Sequence, residues 1–220
     1  GGSGNDFIAG SSGADSINGG VGNDVIQAGD GKDTVSGGTG NDAIDGGAGD
    51  DNLKGEDGSD TLFGGVGKDI LDGGNHNDSL VGGDDNDSLL GQAGSDLLSG
   101  GAGNDTLNGG TGASSDVDLV NESDITNVVV GASTMTSSLG TDSLLAIEGV
   151  NLVGTIGGDS MRVNGFAGTV LFDGQEGDDS LTGGAGKATL IGGNGNDLLQ
   201  ALATSSSSGT LRGDGGNDTL

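Results

Sequence analysis

The first 108 residues of this 220-residue chain consist of a nine-residue unit that repeats without insertion or deletion. The units run from GGSGNDFIA at the first residue to GGAGNDTLN, which ends at residue 108. Position 6 is aspartate in all twelve units: Asp6, Asp15, Asp24, Asp33, Asp42, Asp51, Asp60, Asp69, Asp78, Asp87, Asp96 and Asp105. Position 8 is aliphatic in all twelve: Ile8, Ile17, Ile26, Val35, Ile44, Leu53, Leu62, Leu71, Leu80, Leu89, Leu98 and Leu107. Two positions that persist through so many units predict a solenoid built from one repeated element.

The unit divides into two parts with different backbone preferences. Positions 1 to 6 are rich in glycine, which adopts positive φ at little cost, and they end in aspartate, so they predict a turn. Positions 7 to 9 place an aliphatic residue between mostly polar neighbours, which predicts a short strand with one face inward. Two units, or 18 residues, then form one coil with a strand on each side. We predict an all-β fold, a two-sheet parallel β-solenoid whose aliphatic side chains share one narrow core.

Stacking of the coils places every second aspartate in one column, at the strand spacing of about 4.8 Å. The Asp6 column contains Asp6, Asp24, Asp42, Asp60, Asp78 and Asp96. The Asp15 column contains Asp15, Asp33, Asp51, Asp69, Asp87 and Asp105. One aliphatic side chain per unit offers little stabilisation against the entropy of ordering nine residues, and stacked carboxylates repel one another. A divalent cation between successive turns would reverse that repulsion. The alternative is that the aspartates only close turns.

Composition narrows the choice of cation and of function. Carboxylate and carbonyl oxygens are the ligands that Ca²⁺ takes, whereas the chain has no cysteine and one histidine, which argues against zinc or copper. A chain with one histidine and no cysteine cannot contain an HExxH site or a Cys–His dyad, so we expect no enzyme within this chain. The net charge of −28 disfavours nucleic acid and anionic membrane surfaces and favours cations as partners. No apolar run is long enough to span a bilayer.

These units resemble the RTX, or haemolysin-type, calcium-binding nonapeptide repeats, which form a calcium-dependent parallel β-roll. The resemblance covers residues 1–108 and parts of 154–220. It implies that each ion takes position 6 carboxylates from two stacked turns, with carbonyls from positions 2 and 4 of one turn and 1 and 3 of the next. Such carbonyls belong to Gly2, Gly4, Gly20, Gly22, Gly38, Gly40, Gly74 and His76. About five gaps in each column imply about ten ions in residues 1–108.

The second half of the chain is a degenerate version of the first. Units return with Asp159, Asp179 and Asp197, and the chain ends in a partial unit with Asp218, so these four complete the predicted metal ligands. The unit at 164–172 has no aspartate, and Ala188 stands at a ligand position, which puts its site in doubt. The stretch at 201–212 has about three extra residues, which predict a bulging loop.

The domain organisation follows from this change in regularity. We predict a regular β-roll over 1–112, irregular solenoid coils over 113–172 and a partly degenerate roll over 173–220, all in one continuous solenoid. Strand-like runs at 117–120, 125–130 and 150–153 make a flexible linker between two rolls the less favoured alternative. We also expect this array to be a fragment of a longer protein, because it begins within the repeats and shows no caps.

The single histidine, His76, lies at position 4, where ten of the twelve units have glycine. The other exception is Asp85 in the next unit. Histidine and aspartate are among the residues that tolerate positive φ, so we expect His76 to occupy a left-handed turn position with its ring outward. Its contribution to a metal site would then be its backbone carbonyl.

Three functions share these residues. The first is a secreted calcium-binding module that passes unfolded through a type I secretion channel, as the resemblance implies, and folds on extracellular Ca²⁺. The second is the structural shaft of a cell-surface adhesin or biofilm protein. The third is the export module of a secreted enzyme whose catalytic domain lies outside this chain. Ice binding is disfavoured, because position 3 shows no regular row of threonines, and no basic or aromatic stripe indicates a nucleic-acid or carbohydrate site.

Overall fold

The computed structural model describes residues 1–110, 117–123, 125, 128–131, 133–184, 186–201 and 209–220. Over these ranges the secondary structure is β-strand without helix, which confirms the predicted all-β class. A helix long and apolar enough to cross a membrane is accordingly absent from the described ranges. The chain divides into two compact units, Gly1–Leu119 and Val120–Leu220. The predicted continuity of one solenoid through both units stays a prediction.

The first unit is a two-sheet parallel roll. Its strands are β1 Gly2–Ser3, β2 Phe7–Ala9, β3 Ser16–Val21, β4 Val25–Asp30, β5 Thr34–Thr39, β6 Ala43–Ala48, β7 Asn52–Asp57, β8 Thr61–Val66, β9 Ile70–Asn75, β10 Ser79–Asp84, β11 Ser88–Ala93, β12 Leu97–Ala102 and β13 Thr106–Gly110. Odd-numbered strands form one sheet and even-numbered strands the other. Ile17 pairs with Val35, and Ile26 with Ile44, so each residue meets the residue 18 positions later. This register confirms the predicted coil of 18 residues.

The strands are longer than the three residues that the sequence predicted. β5, for example, runs for six residues, from position 7 of one unit to position 3 of the next, which leaves only positions 4 to 6 as the turn. Gly20 and Gly38 at position 2 have φ of 113° and 116° and still pair with each other in the ladder. A conformation that would break an ordinary strand is tolerated because the equivalent residue in the next coil repeats it.

The core of the first unit is the predicted column of position 8 side chains. From the second coil onward they are at most 1% exposed: Ile26, Val35, Ile44, Leu53, Leu62, Leu71, Leu80, Leu89, Leu98 and Leu107. Each fully buried side chain of this size stabilises the fold by roughly 1.5–3 kcal/mol. The core is therefore one aliphatic residue wide from each sheet, and the remaining interior at the ends of the coils is formed by the aspartate turns.

The second unit is less regular. Its strands are β15 Val128–Gly131, β16 Thr134–Thr136, β17 Thr141–Leu145, β18 Gly149–Val153, β19 Ser160–Asn164, β20 Thr169–Asp173, β21 Ser180–Gly183, β22 Ala188–Asn194, β23 Leu198–Ala201 and β24 Thr210–Gly215, while β14 Leu119–Glu122 crosses the boundary between the units. β16 pairs antiparallel with both β15 and β17, so the irregular segment contains a meander that period 18 does not predict. From β18 and β19 onward the pairing is again parallel.

The predicted frame differs from the structure in one unit of the second half. Phe172, which is fully buried, pairs with Leu190, so the unit read at 164–172 is shifted by one residue relative to that frame. Within the predicted irregular coils, residues 113–116, 124, 126, 127 and 132 lie outside the described residues, and so do 202–208 of the predicted bulging loop.

Candidate metal centre

The position 6 aspartates form two hydrogen-bonded columns, one at each edge of the first unit. The backbone N–H of Asp24 donates to Oδ1 of Asp42 at 2.7 Å, and the N–H of Asp42 donates to Oδ1 of Asp60 at 2.8 Å. The same bond links every successive pair of the Asp6 column and of the Asp15 column. Each carboxylate is thus held by the coil before it. The structure therefore brings the predicted residues together in the predicted columns.

The second oxygen of these carboxylates is buried without a partner. The aspartates from Asp24 to Asp87 are 0–4% exposed, whereas the first member of each column, Asp6 or Asp15, is half-buried. Oδ2 accepts no hydrogen bond in eight of them: Asp24, Asp33, Asp42, Asp51, Asp60, Asp69, Asp78 and Asp87. A buried acceptor without a donor costs roughly 1–3 kcal/mol, and more when it is charged. Oxygens of this kind, repeated in register, fit the ligands of a bound cation.

Position 1, which is glycine in eleven of the twelve units and alanine at Ala28, lies next to the orphaned carboxylate oxygen. A β-carbon at Gly19 would collide with Oδ2 of Asp24 and with the carbonyl oxygen of Gly37 in the next coil. Glycine therefore lets a carboxylate oxygen and a backbone oxygen converge on one place. The carbonyls at position 4 also form a row: a β-carbon at Gly40 would meet the carbonyl of Gly22, and one at Gly94 would meet that of His76.

The predicted conformation of His76 is confirmed. Its φ is 80° and its side chain is exposed, and Asp85 has a φ of 76°. The predicted carbonyl residues Gly4, Gly20, Gly22, Gly38, Gly40 and Gly74 have φ between 106° and 126°, and Gly2 pairs with Gly20 in the ladder. The turn backbone is therefore set by position and not by residue type, so the substituted turn at His76 keeps its carbonyl in the row.

The mid-column carboxyls are the most perturbed. Burial, with repulsion from the stacked neighbouring carboxylates, raises the pKa of Asp78 and Asp87 to about 7 and outweighs the hydrogen bond from the preceding coil. The same causes raise the pKa of Asp60 and Asp69 to about 6. At neutral pH these groups bear charge in an environment that penalises it. A divalent cation between two such carboxylates would remove the penalty.

The described residues include no group of three or more His, Cys, Asp or Glu side chains placed to hold a metal ion. This agrees with a site of the kind implied above, in which each ion has two carboxylates and several carbonyl oxygens. The donor set is oxygen throughout, because the chain has no cysteine and His76 is exposed. The residues present therefore fit Ca²⁺.

The sequence did not indicate a second ladder at position 5. There the side-chain oxygen accepts from the next coil: Oδ1 of Asn5 accepts the N–H of Asn23 at 2.9 Å, and Oδ1 of Asn23 accepts that of Asn41 at 3.0 Å. The bonds at positions 5 and 6 thus run in opposite directions along the solenoid wherever position 5 has a side-chain oxygen that accepts. The recurrence of asparagine beside aspartate, as in GND, was the available signal.

Asp118 also extends the Asp6 column and was missed. Its Oδ1 accepts the N–H of Asp96 at 2.9 Å, and the N–H of Leu119 donates to the carbonyl of Asp96 at 2.8 Å, as in the regular coils. Asp118 is 5% exposed and Val120, two residues on, is fully buried. The spacing from Asp96 is 22 residues and not 18, so a fixed frame passes over it. The signal was the D-x-aliphatic triplet.

The second unit has a carboxylate column on one edge. The N–H of Asp159 donates to Oδ1 of Asp179 at 2.7 Å, that of Asp179 to Asp197 at 2.9 Å and that of Asp197 to Asp218 at 3.1 Å. All four predicted ligands of this half therefore share the Asp159 column. On the other edge, Val150 pairs with Val170 and Val170 with Ala188, all buried. The missing metal ligand that the sequence indicated at Ala188 is therefore missing at Val150 and Val170 as well, because apolar side chains occupy that edge.

Two predicted ligands differ from the rest because their second oxygen already has donors. Oδ2 of Asp15 accepts the backbone N–H of Ser11 at 2.7 Å and its hydroxyl at 3.0 Å. Oδ2 of Asp159 accepts the N–H of Thr155 at 2.7 Å. In both cases a hydroxyl residue stands at position 2, and the aspartate is the first member of its column. These two carboxylates are satisfied without a cation.

The comparisons with known proteins agree with this geometry. The family model for four copies of the RTX calcium-binding nonapeptide repeat matches residues 1–35, 19–53, 27–62, 54–89, 81–115, 171–201 and 205–220, together more than half of the chain. The search of curated proteins found no match. The family matches end before Asp118 in the first unit and leave the irregular segment uncovered.

Proposed function

Because the chain belongs to the RTX calcium-binding nonapeptide repeat family, we propose that it is the calcium-responsive module of a secreted protein, which folds and stiffens on extracellular Ca²⁺. The observation that supports this most directly is the register of buried Oδ2 atoms without a hydrogen-bond donor in the position 6 aspartates from Asp24 to Asp87. Among the residues that the structure describes, none donates to these oxygens, so a cation would supply the partner that their charge lacks. We propose no catalytic activity for it.

Each ion would lie between two successive turns of one column. It would take position 6 carboxylates from both turns, together with turn carbonyls such as those of Gly20, Gly22 and His76. About ten ions would occupy residues 1–108, at one per gap. The Asp159 column would add its own ions, whereas the edge lined by Val170 and Ala188 would bind none, because it offers no carboxylate.

Calcium would control folding by mass action. Extracellular modules bind Ca²⁺ with dissociation constants of roughly 10⁻⁴–10⁻³ M, far above cytosolic calcium. At a free calcium concentration of about ten times the dissociation constant, each site adds about 1.4 kcal/mol to the free energy of unfolding. Many weak sites therefore sum to a large stabilisation outside the cell. At low calcium the net charge of −28 and the buried carboxylates disfavour the compact chain, which suits export in an unfolded state.

A calcium titration of the full chain, followed by far-ultraviolet circular dichroism, tests the proposal. We expect β-signal to appear as free calcium rises to about 10 mM and to disappear on chelation. Magnesium serves as the control, because it prefers a smaller octahedral site and retains its waters. An unchanged spectrum over this range, or an equal response to magnesium, would reject the proposal.

A further inference from the structure

The two columns of the first unit differ at position 5, next to every proposed ligand. Beside the Asp6 column, position 5 is Asn5, Asn23, Asn41, Ser59, Asn77 and Ser95. Beside the Asp15 column it is Ala14, Lys32, Asp50, Lys68, Asn86 and Asn104. Every residue of the first set has a side-chain oxygen that can accept a hydrogen bond, whereas alanine and lysine have none. The position 6 aspartates of the two columns therefore have chemically different neighbours at position 5.

The hydrogen bonds follow this difference. Beside the Asp6 column, position 5 oxygens accept backbone N–H groups of the next coil in a nearly continuous series, at 2.9–3.0 Å. Beside the Asp15 column, two such bonds are found among the described residues: the N–H of Lys68 donates to Oδ1 of Asp50 at 3.1 Å, and the N–H of Asn104 donates to Oδ1 of Asn86 at 3.0 Å. At Ala14, Lys32 and Lys68 the side chain offers no acceptor to the next turn, so those turns are joined to the next turn by the position 6 bond without the position 5 bond.

The two lysines add a local positive charge to the Asp15 column, although the residues at positions 1 to 5 sum to −2 beside each column. These residues are Glu56 and Asp57 beside the Asp6 column, and Asp30, Asp50, Asp84 and Asp85 with Lys32 and Lys68 beside the Asp15 column. Lys32 and Lys68 immediately precede Asp33 and Asp69, and the ammonium of Lys32 lies 3.9 Å from a carboxylate oxygen of Asp50. Asp50 therefore offsets Lys32 in part, while Lys68 adds a positive charge beside its own column. A unit charge about 10 Å from a divalent ion at an exposed edge weakens binding about two- to fourfold after screening by salt. The loss of preordering by the missing position 5 bonds adds to this effect.

We propose that position 5 sets the calcium affinity of each column, so that the Asp6 column fills at lower calcium than the Asp15 column. The inference rests on the proposed function, since it assigns an order to the same sites. Turns that are held by the bonds of both position 5 and position 6 lose less entropy when an ion binds than turns held by the position 6 bonds alone. Position 5 is therefore a positioning residue: it does not touch the ion, and it acts through the backbone of the turn.

The second unit shows the same association independently. At position 5 its carboxylate column has Gly158, Asp178, Asn196 and Asn217. The N–H of Asn196 donates to Oδ1 of Asp178 at 2.8 Å, and that of Asn217 donates to Oδ1 of Asn196 at 3.2 Å. Lys187, in contrast, precedes Ala188 on the edge without a carboxylate column. In the second unit, hydrogen-bonding residues thus occupy three of the four position 5 sites of the carboxylate column, and Lys187 lies on the edge without such a column.

The test is a calcium titration of the full chain observed by amide NMR, with a separate midpoint for each column. The amide signals of Asp24 and Asp42 give the midpoint of the Asp6 column, and those of Asp33 and Asp69 give the midpoint of the Asp15 column. We expect the Asp15 column to reach its midpoint at a calcium concentration about two- to tenfold higher. Coincident midpoints in the wild-type chain would overturn the inference while leaving the proposed function intact. A chain that shows no calcium response at any amide would instead reject the proposed function.

Matched variants separate position 5 from general charge. The double variant Lys32→Asn and Lys68→Asn should lower the midpoint of the Asp15 column and leave the Asp6 column unchanged. Lys54→Asn removes the same charge from an exposed position in β7 and should move neither midpoint. If the double variant shifts both columns equally, or if Lys54→Asn reproduces its effect, the assignment to position 5 is wrong.

A reciprocal change tests the hydrogen bond itself. Asn41→Ala removes the acceptor for the N–H of Ser59 and should raise the midpoint of the Asp6 column. Asn41→Ser should restore much of it, because serine at position 5 accepts the same bond at Ser95. Equal midpoints for the alanine and serine variants would show that the side-chain oxygen has no such role.

Discussion

Replacement of Asp78 by asparagine should change stability in opposite directions with and without calcium. Asparagine has the same shape and keeps an oxygen that can accept the N–H of Asp60, a bond of 2.8 Å in the wild-type chain. It removes the charge from a carboxyl whose pKa burial raises to about 7, and which is 4% exposed. Without calcium, the variant should therefore be as stable as the wild-type chain or more stable.

In calcium the same substitution should be destabilising. Asp78 lies between Asp60 and Asp96 in its column, so the charge of one ligand is lost from two proposed sites. At calcium about ten times the dissociation constant, the loss of two sites lowers the free energy of unfolding by about 2.8 kcal/mol. The number of bound ions should fall by about two, because each site takes its carboxylates from two turns.

Three measurements on each protein check this reasoning. Calorimetric titration gives the number of ions, and denaturant unfolding in calcium gives the stability change there. In chelator, the concentration of an excluded osmolyte needed to fold each protein compares their stabilities without calcium. Asp45→Asn is the control, since it removes the same charge from an exposed strand position in β6. An unchanged ion count for Asp78→Asn, or equal destabilisation in calcium and in chelator, would refute the assignment of this carboxylate as a ligand.

Three further predictions concern acidity, the turn and the core. In calcium-free buffer the free energy of unfolding should fall as pH rises from about 4 to about 7, because the raised pKa values of Asp78 and Asp87 make the folded chain bind more protons than the unfolded chain. Far-ultraviolet circular dichroism of the chelated chain at several pH values measures this, and β-signal that grows as pH rises would contradict it. His76→Gly should raise stability by about 0.5–1 kcal/mol at an unchanged ion count, since φ is 80° there; a lost ion would mean that the ring is a ligand. Leu62→Ala should cost about 2–5 kcal/mol in calcium, whereas Phe63→Ala, at a site 46% exposed, should cost much less, and similar losses in denaturant unfolding would reject the one-residue core.

The regular half of the molecule could be predicted in detail because its contacts are periodic. In a parallel solenoid each residue meets the residue one coil away, so the spacing of Asp24 and Asp42 in sequence already places them together in space. The same logic gave the inward position of Ile44 and the left-handed turn at His76. These features depend on local conformation and on one repeat distance.

Only the tertiary structure shows the contacts that depart from the 18-residue spacing and the direction of the side-chain hydrogen bonds. Asp118 joins the Asp6 column across 22 residues, and Asp159 reaches Asp179 across 20, so no fixed frame aligns them. The pairing of Val170 with Ala188 showed that the second unit has an apolar edge. The opposed ladders at positions 5 and 6 arise because a side chain can accept from the coil above or below. Sequence spacing determines which coils are neighbours, whereas only the folded turn determines the side from which the donor comes.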